Sequence, residues 1–181
     1  MTEIRLAPMA GITDWPFRLL CFEQGCDAAT TEMVSAMGYV YAPKHRANTE
    51  LLTKAEGEGR LYAQIFGKDP ELMARAAQDI GASGKFAGID VNMGCPAHKV
   101  SCAGEGAGLM RDPEKAERIL KAVIAATDLP VSVKFRLGWD NEHINVVDMA
   151  RMAEQCGVSE IAVHGRTRMQ QYSGHADWEA I

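Results

Sequence analysis

The sequence predicts an α/β fold of the (β/α)8, or TIM-type, barrel class, truncated here after about six βα units. Short β-rich apolar runs alternate with capped amphipathic segments roughly 30 residues apart, which is the spacing of repeated βα units. Polar residues close several of these runs, and barrels of this class carry their reactive groups at the carboxyl ends of the strands. A doubly wound sheet, the alternative, requires a glycine-rich phosphate turn after its first strand. Residues 8–13 lack that turn.

Six runs are predicted as strands because they are short, apolar and bounded by turn residues. In chain order they occupy residues 4–8, 28–32, 61–65, 88–92, 131–135 and 160–164. The polar residues that close five of them are Glu32, Gln64, Asn92, Lys134 and His164. A complete barrel takes about 250 residues. We therefore expect residues 1–181 to be the N-terminal part of one catalytic barrel domain, with strands seven and eight beyond it.

Helices are predicted between the later strands from their start and stop signals. Asp69 and Asp112 are each followed by a proline and a glutamate, which is the pattern of an N-cap with proline at the first helical position. Apolar residues follow at helical spacing in both segments, and Gly81 ends the first of them. A third helix is predicted near residues 146–155, with Gly157 as its stop.

Bulk composition indicates an ordinary globular protein without a membrane span. Hydrophobic residues make up 47% of the chain and charged residues 24%, and no apolar run approaches the roughly 18 residues that a span requires. Residues 1–5 carry no signal-peptide pattern, so we expect a cytoplasmic protein. The five cysteines show no paired spacing, which argues against disulfides and a zinc site. A net charge of −5 does not by itself favour nucleic-acid binding.

Cys95 is the strongest candidate for a catalytic residue. It follows the predicted strand that Asn92 closes, and Gly94 and Pro96 hold it in an irregular turn at the expected barrel mouth. A free thiol is mostly protonated at neutral pH, so a thiol exposed to substrate can donate a proton as well as act as a nucleophile. A lone cysteine is more often an inert buried residue, and its place at the end of a strand favours the catalytic interpretation.

Several segments together resemble the tRNA-dihydrouridine synthase family. They occur in order along essentially the whole chain and are residues 7–14 (APMAGITD), 31–35 (TEMVS), 64–67 (QIFG), 92–97 (NMGCPA), 133–139 (VKFRLGW) and 164–168 (HGRTR). One such motif alone is weak evidence. Six at consistent spacing are strong evidence for the resemblance.

The resemblance implies an FMN-dependent enzyme that reduces a uridine of tRNA to 5,6-dihydrouridine. NADPH, or NADH, is expected to reduce the FMN, which passes hydride to C6 of the uracil while Cys95 protonates C5. The predicted cofactor contacts are the backbone of Pro8, Met9 and Ala10 along the flavin ring, Gln64 and Lys134 at its polar edge, and His164 beside the ring or ribityl chain. A lysine at the N1–C2 edge would stabilise the negative charge of reduced flavin.

The resemblance also implies a set of substrate contacts. Asn92 suits the uracil edge because its amide both donates and accepts, and Arg136, Arg166 and Tyr172 complete the predicted set. A local basic surface for tRNA is predicted from residues 44–46, Lys99, Arg136 and Arg168, although such side chains are more often simply solvated. Cys102 is a departure from the family pattern, interpreted as a tolerated substitution. The family's phosphate-binding loops and helical tRNA-binding domain are expected beyond residue 181.

Two other functions stay open at this point. A dihydroorotate dehydrogenase-like enzyme also combines FMN with a lysine and a pyrimidine substrate, but the turn around Cys95 and residues 164–168 favour the tRNA enzyme. The second is a non-catalytic RNA-binding or scaffold barrel that keeps the fold. The presence of Cys95, Lys134, Gln64 and His164 together argues against it for the complete protein, whereas residues 1–181 alone are expected to be a catalytically inactive barrel fragment.

Overall fold

The computed structural model describes residues 3–181 and shows a parallel half-barrel with its connecting helices. The strands are β1 (Arg5–Leu6), β2 (Ala28–Thr30), β3 (Val34–Ser35), β4 (Arg60–Phe66), β5 (Gly88–Met93), β6 (Val131–Arg136) and β7 (Glu160–His164). They pair in the order β1-β2-β4-β5-β6-β7, and every pairing is parallel. The predicted barrel class is therefore confirmed.

The predicted second strand is shorter than expected and is followed by a separate segment. Residues 28–30 pair with the start of β4, whereas β3 pairs with its end, where Val34 lies opposite Ile65. The two segments thus act as one interrupted strand of the half-barrel. Glu32 lies in the break and not in a strand.

The helices are α1 (Trp15–Glu23), α2 (Ala36–Tyr41), α3 (Arg46–Leu51), α4 (Pro70–Gly81), α5 (His98–Ser101), α6 (Pro113–Ala125) and α7 (Val146–Cys156), with a 3-10 helix at Gly106–Arg111. The predicted caps are confirmed, since Asp69 accepts from the backbone N–H of Glu71 and Asp112 from that of Lys115. Gly157 ends α7 in the left-handed conformation, with φ of 89°.

The core lies between the sheet and the helices. Both faces of the central strands are covered, and the helices α4, α6 and α7 each turn one apolar face toward the sheet, with Met73, Ile119 and Met149 among the fully buried side chains. Burying such side chains is the main favourable term in folding. The arrangement leaves the carboxyl ends of the strands at one rim, where the polar residues converge.

Within the described residues, no helix is both long and apolar enough to cross a membrane. The first two residues of the 1–5 stretch, in which no signal-peptide pattern was expected, lie outside the described part of the chain.

Candidate active site

Strand register brings the polar strand-end residues together on the inner face of the half-barrel. Asn92 of β5 lies opposite Lys134 of β6, and Arg136 lies opposite His164 of β7. Because side chains alternate between the two faces of a strand, residues two apart along one strand point to the same side. The pattern therefore places two layers of polar groups above the core.

These groups line a cavity of about 470 Å³ at the rim, within the range of small-molecule and cofactor sites. Of the residues predicted from the sequence it is lined by Pro8, Met9, Ala10, Gln64, Asn92, Cys95, Lys134, Arg136, His164 and Tyr172. A groove of similar volume, about 480 Å³, lies between α7 and β7. Volume alone therefore does not distinguish the candidate site from the groove. The polar side chains that converge on the rim cavity do distinguish it.

One wall of the cavity is formed by Pro8, Met9 and Ala10 of a hydrogen-bonded turn at residues 8–13. The backbone N–H of Met9 donates to Thr13 Oγ1 at 3.0 Å, and the N–H of Gly11 donates to the carboxylate of Glu32. Gly11 has φ of +75°, a conformation that favours glycine. Glu32, in the break between β2 and β3, thus holds this turn and does not itself line the cavity.

A buried ion pair anchors the same turn from below. Arg18 Nε contacts Glu58 Oε1 at 2.6 Å, with both side chains at most 1% exposed. Arg18 also donates to the carbonyl oxygens of Thr13 and Thr53, at 2.9 and 2.7 Å. These bonds satisfy a charge that would otherwise be costly to bury, and they fix the Thr13 end of the turn, whereas Pro8, Met9 and Ala10 at its other end line the cavity.

The turn that carries Cys95 is held by two neighbouring side chains. Asn92 Oδ1 accepts from the backbone N–H of Gly94 at 3.2 Å and from that of Cys95 at 2.9 Å. Arg136 Nε donates to the carbonyl oxygen of Gly94 at 2.8 Å. The Cys95 thiol is half-buried in the cavity wall, whereas Cys102 is exposed and outside that wall.

Lys134 presents an ammonium group that has no hydrogen-bond partner among residues 3–181. Burial lowers its pKa, the nearby Asp90 carboxyl opposes that effect, and Arg136 lowers it further. A largely buried ammonium without a partner is costly unless a ligand accepts its hydrogen bonds. The cavity therefore favours a ligand with an anionic or carbonyl edge.

His164 is neutral at physiological pH. Burial lowers its pKa to about 4, and the charges of Arg136, Lys134 and Arg166 add to the effect. Arg166 Nη1 lies 3.3 Å from His164 Nε2, and because a guanidinium only donates, Nε2 is the acceptor. The ring proton is therefore on Nδ1.

This environment predicts how the protein responds to acid. In the unfolded chain the histidine has its ordinary pKa of about 6.5. As pH falls, the unfolded chain therefore takes up a proton before the folded chain does. The free energy of unfolding should decrease between pH 6.5 and 4 because of His164. We expect the His164 ring to titrate near pH 4 in an NMR titration. His164→Gln should flatten the fall of the melting temperature in that interval. A ring that titrates near 6.5 would refute the assignment.

Two of the predicted arginines have their donors largely occupied by backbone oxygens. Arg166 donates to the carbonyl oxygens of Ser173 and Gly174, and it does not line the cavity. Arg136 is 2% exposed and donates to carbonyls of Gly94, Thr167 and Gln171. Its Nη2 group has no acceptor among residues 3–181, and Arg136 is part of the cavity lining.

The predicted basic surface is wrong in two of its members. Arg136 is buried, and Arg168 is 7% exposed, with Nε bonded to Ser101 Oγ and its guanidinium over the Trp139 ring at 4.8 Å. Long-range packing of the 164–181 segment buries both, and their own sequence neighbourhood does not show it. Neither arginine belongs to an exposed surface.

Sequence reasoning missed several side chains of the site, of which three bear on its chemistry. Met33 and Trp178 line the cavity, with Trp178 79% exposed, and Asp90 is buried and bonded to Gln64 of the cavity wall. Met33 belongs to the 31–35 motif, which could have indicated it, whereas no signal in the sequence identifies Trp178. Asp90 precedes Asn92 by two positions, so strand alternation alone places both on the inner face. Among the described residues, no group of three acidic, histidine or cysteine side chains is arranged to hold a metal ion.

Residues 5–181 match the family model described as dihydrouridine synthase (Dus). The chain belongs to the dihydrouridine synthase family. It is 46% identical over 180 residues to a protein named tRNA-dihydrouridine synthase B from Shewanella oneidensis. It is also 45% identical over 179 residues to a probable tRNA-dihydrouridine synthase from Rhizobium leguminosarum bv. phaseoli. Each alignment covers 99% of this chain and 55% of the relative, so the chain spans about half the length of these family members.

A solved structure shows the same kind of fold outside the family. The carboxyl transferase domain of Rhizobium etli pyruvate carboxylase, determined with pyruvate, matches with a TM-score of 0.58 at 19% identity. The match covers 90% of this chain and 27% of that one. At this identity the likeness concerns the fold alone.

Proposed function

We propose that the protein carrying this chain reduces a uridine of tRNA to 5,6-dihydrouridine, with FMN as its cofactor and NADPH or NADH as its reductant. The observation that carries the proposal is that one cavity of about 470 Å³ is lined both by Cys95 and by Lys134, whose ammonium has no hydrogen-bond partner among residues 3–181. Membership of the dihydrouridine synthase family supports the same reaction. Residues 1–181 would form the N-terminal part of the barrel domain, completed by further strands and a helical tRNA-binding domain in a cytoplasmic protein.

The residues present fit a flavin ring. Pro8, Met9 and Ala10 offer a firm apolar wall for a planar ring. Lys134 offers free N–H donors for the anionic N1–C2 edge of the ring. Gln64 is bonded to two neighbours, which leaves one N–H and one lone pair of its amide for the ring edge.

Bound FMN would supply the hydride that reaches C6 of the uracil. The chain's own task is to deliver the proton, and we assign this to Cys95, whose thiol lies at the cavity wall. Lys134 would stabilise negative charge on the ring through a preorganised positive group. Neutral His164 would donate from Nδ1, since Arg166 occupies the other side of its ring.

Substrate contacts would come from the outer part of the cavity. Asn92 keeps one N–H free after its bond to Gln64, and Arg136 keeps Nη2. Tyr172, 75% exposed, lies beside the cavity with its ring 6.4 Å from that of His164, and suits stacking on an extruded base. Arg166 would act indirectly, because it holds the loop that carries Tyr172.

One experiment tests the proposal directly. The complete protein is purified, its flavin is identified by absorbance and mass, and it is incubated with NADPH and unmodified tRNA. We expect bound FMN and dihydrouridine in the tRNA. Turnover of dihydroorotate in place of tRNA, or a protein that neither binds flavin nor modifies tRNA, would overturn it.

A further inference from the structure

Asp90 is a buried carboxyl group that the proposed chemistry does not use. It lies in β5, is 4% exposed, and is enclosed by strands on both sides. Ser132 Oγ donates to its Oδ1 at 2.5 Å, and Gln64 Nε2 donates to its Oδ2 at 2.7 Å. Burying a carboxyl group in a sheet is costly, so its presence calls for a physical account.

Asp90 begins a chain of hydrogen bonds that ends at the Cys95 turn. Gln64 Nε2 donates to Asp90, and Gln64 Oε1 accepts from Asn92 Nδ2 at 2.9 Å. Asn92 Oδ1 then accepts from the backbone N–H groups of Gly94 and Cys95. Two side-chain amides in series thus connect the carboxyl group to the catalytic turn.

The orientation of both amides is fixed from the two ends of this chain. A backbone N–H can only donate, so Asn92 must turn its oxygen to Cys95 and its nitrogen to Gln64. Gln64 must then receive that nitrogen with its oxygen and turn its own nitrogen to Asp90. This arrangement requires an acceptor at position 90, which the carboxylate provides.

Asp90 still offers a hydrogen-bond acceptor to Gln64 when its carboxyl group is protonated. Burial raises the pKa of this carboxyl, while its hydrogen bonds from Ser132 and Gln64 and the charges of Arg5 and Lys134 oppose the effect. A proton, when present, is accommodated on Oδ1, where the Ser132 hydroxyl can accept it. Oδ2 then still accepts from Gln64, so the amide chain keeps its direction.

We infer that Asp90 is a positioning residue that sets the direction of the Gln64 and Asn92 amides, and through them the Cys95 turn and the groups that face the ligand. The inference depends on the proposed function only for the identity of that ligand. Reversal of the two amides would set the Asn92 nitrogen against the N–H groups of Gly94 and Cys95. The turn would then lose both of its side-chain bonds.

The first test compares two replacements of Asp90 in the complete protein. Asp90→Asn keeps an acceptor for Gln64 and a donor for the Ser132 oxygen, so FMN affinity and the rate of Cys95 alkylation by iodoacetamide should stay within about threefold of wild type. Asp90→Leu has similar bulk and no acceptor. It should weaken FMN binding about ten- to hundred-fold, as for a buried donor left unpaired, and change the alkylation rate. Equal behaviour of the two variants would overturn the inference.

The second test reverses the direction of the chain. Asn92→Asp still accepts from the Cys95 turn but puts a second oxygen against Gln64, which must flip and face the Asp90 carboxylate with its own oxygen. This single variant should bind FMN at least tenfold more weakly. Adding Asp90→Asn supplies a donor for the flipped Gln64 and should restore most of the loss. A merely structural role for Asp90 predicts no such rescue, and a double variant as weak as Asn92→Asp would overturn the inference.

Cys95 alkylation keeps this test separate from the proposed function. If the wild-type protein holds no FMN, the flavin proposal fails. The alkylation rates of the same four variants then still decide whether the amide chain positions Cys95. An alkylation rate restored in the double variant supports the inference in either case.

Discussion

Replacing Cys95 by alanine should lower the rate of dihydrouridine formation by about 10²–10⁴-fold, which corresponds to roughly 3–5 kcal/mol of barrier. The range is that of a general acid removed from its reaction. The Cys95 thiol lies in the wall of the cavity, and its backbone N–H is held by Asn92 at 2.9 Å, so the side chain is presented in a fixed direction. The measurement is single-turnover conversion of unmodified tRNA by the complete protein.

The same variant separates proton delivery from the other steps. The thiol is assigned no part in holding the flavin, so Cys95→Ala should bind FMN normally and should lose flavin absorbance on addition of NADPH at close to the wild-type rate. Cys102→Ala is the matched control, because Cys102 is an exposed thiol outside the cavity. It should leave both measurements unchanged. A Cys95→Ala protein that modifies tRNA at the wild-type rate would make the turn a purely structural element.

The sequence allowed prediction of the fold and of the position of most cavity residues because both depend on local, repeating features. The sixth predicted strand, residues 160–164, matches β7, and the Asp69 and Asp112 caps form as expected. Strand alternation then decides which side chains face inward. Gln64, Asn92 and Lys134 needed nothing further to be placed at the cavity.

What could not be predicted depends on the irregular packing of the loop after β7, both on itself and against distant segments. Arg166 is turned away from the cavity by the carbonyls of Ser173 and Gly174, and Arg136 is buried by the loop that follows β7. No periodic pattern encodes such loop packing. The role of Glu32 was also hidden, because its partner is the backbone of Gly11 in the first turn.

Replacing Lys134 by alanine should have the second largest effect, in this case on the flavin. Removing one preorganised donor to a developing anion typically costs about 10²–10³-fold in rate. We therefore expect reduction of bound FMN by NADPH to slow by a factor in that range, with weaker FMN binding. Lys134→Met, which keeps the length of the side chain without its charge, should behave similarly. Lys121→Ala is the control, because Lys121 is exposed and paired with Glu117.

The same replacement of Lys134 that slows flavin reduction should make the FMN-free protein more stable. Burial lowers the pKa of Lys134, so the folded state binds this proton less tightly than the unfolded state, whose lysine pKa is about 10.4. At neutral pH the charged group therefore costs stability, and the cost disappears as pH rises through the folded pKa toward 10.4. Lys134→Met should raise the melting temperature of the FMN-free protein at pH 7 while it slows reduction. If the variant had both a lower melting temperature and slower flavin reduction, Lys134 would support the fold. If its FMN content and its rate of flavin reduction were both unchanged, Lys134 would not belong to the flavin site.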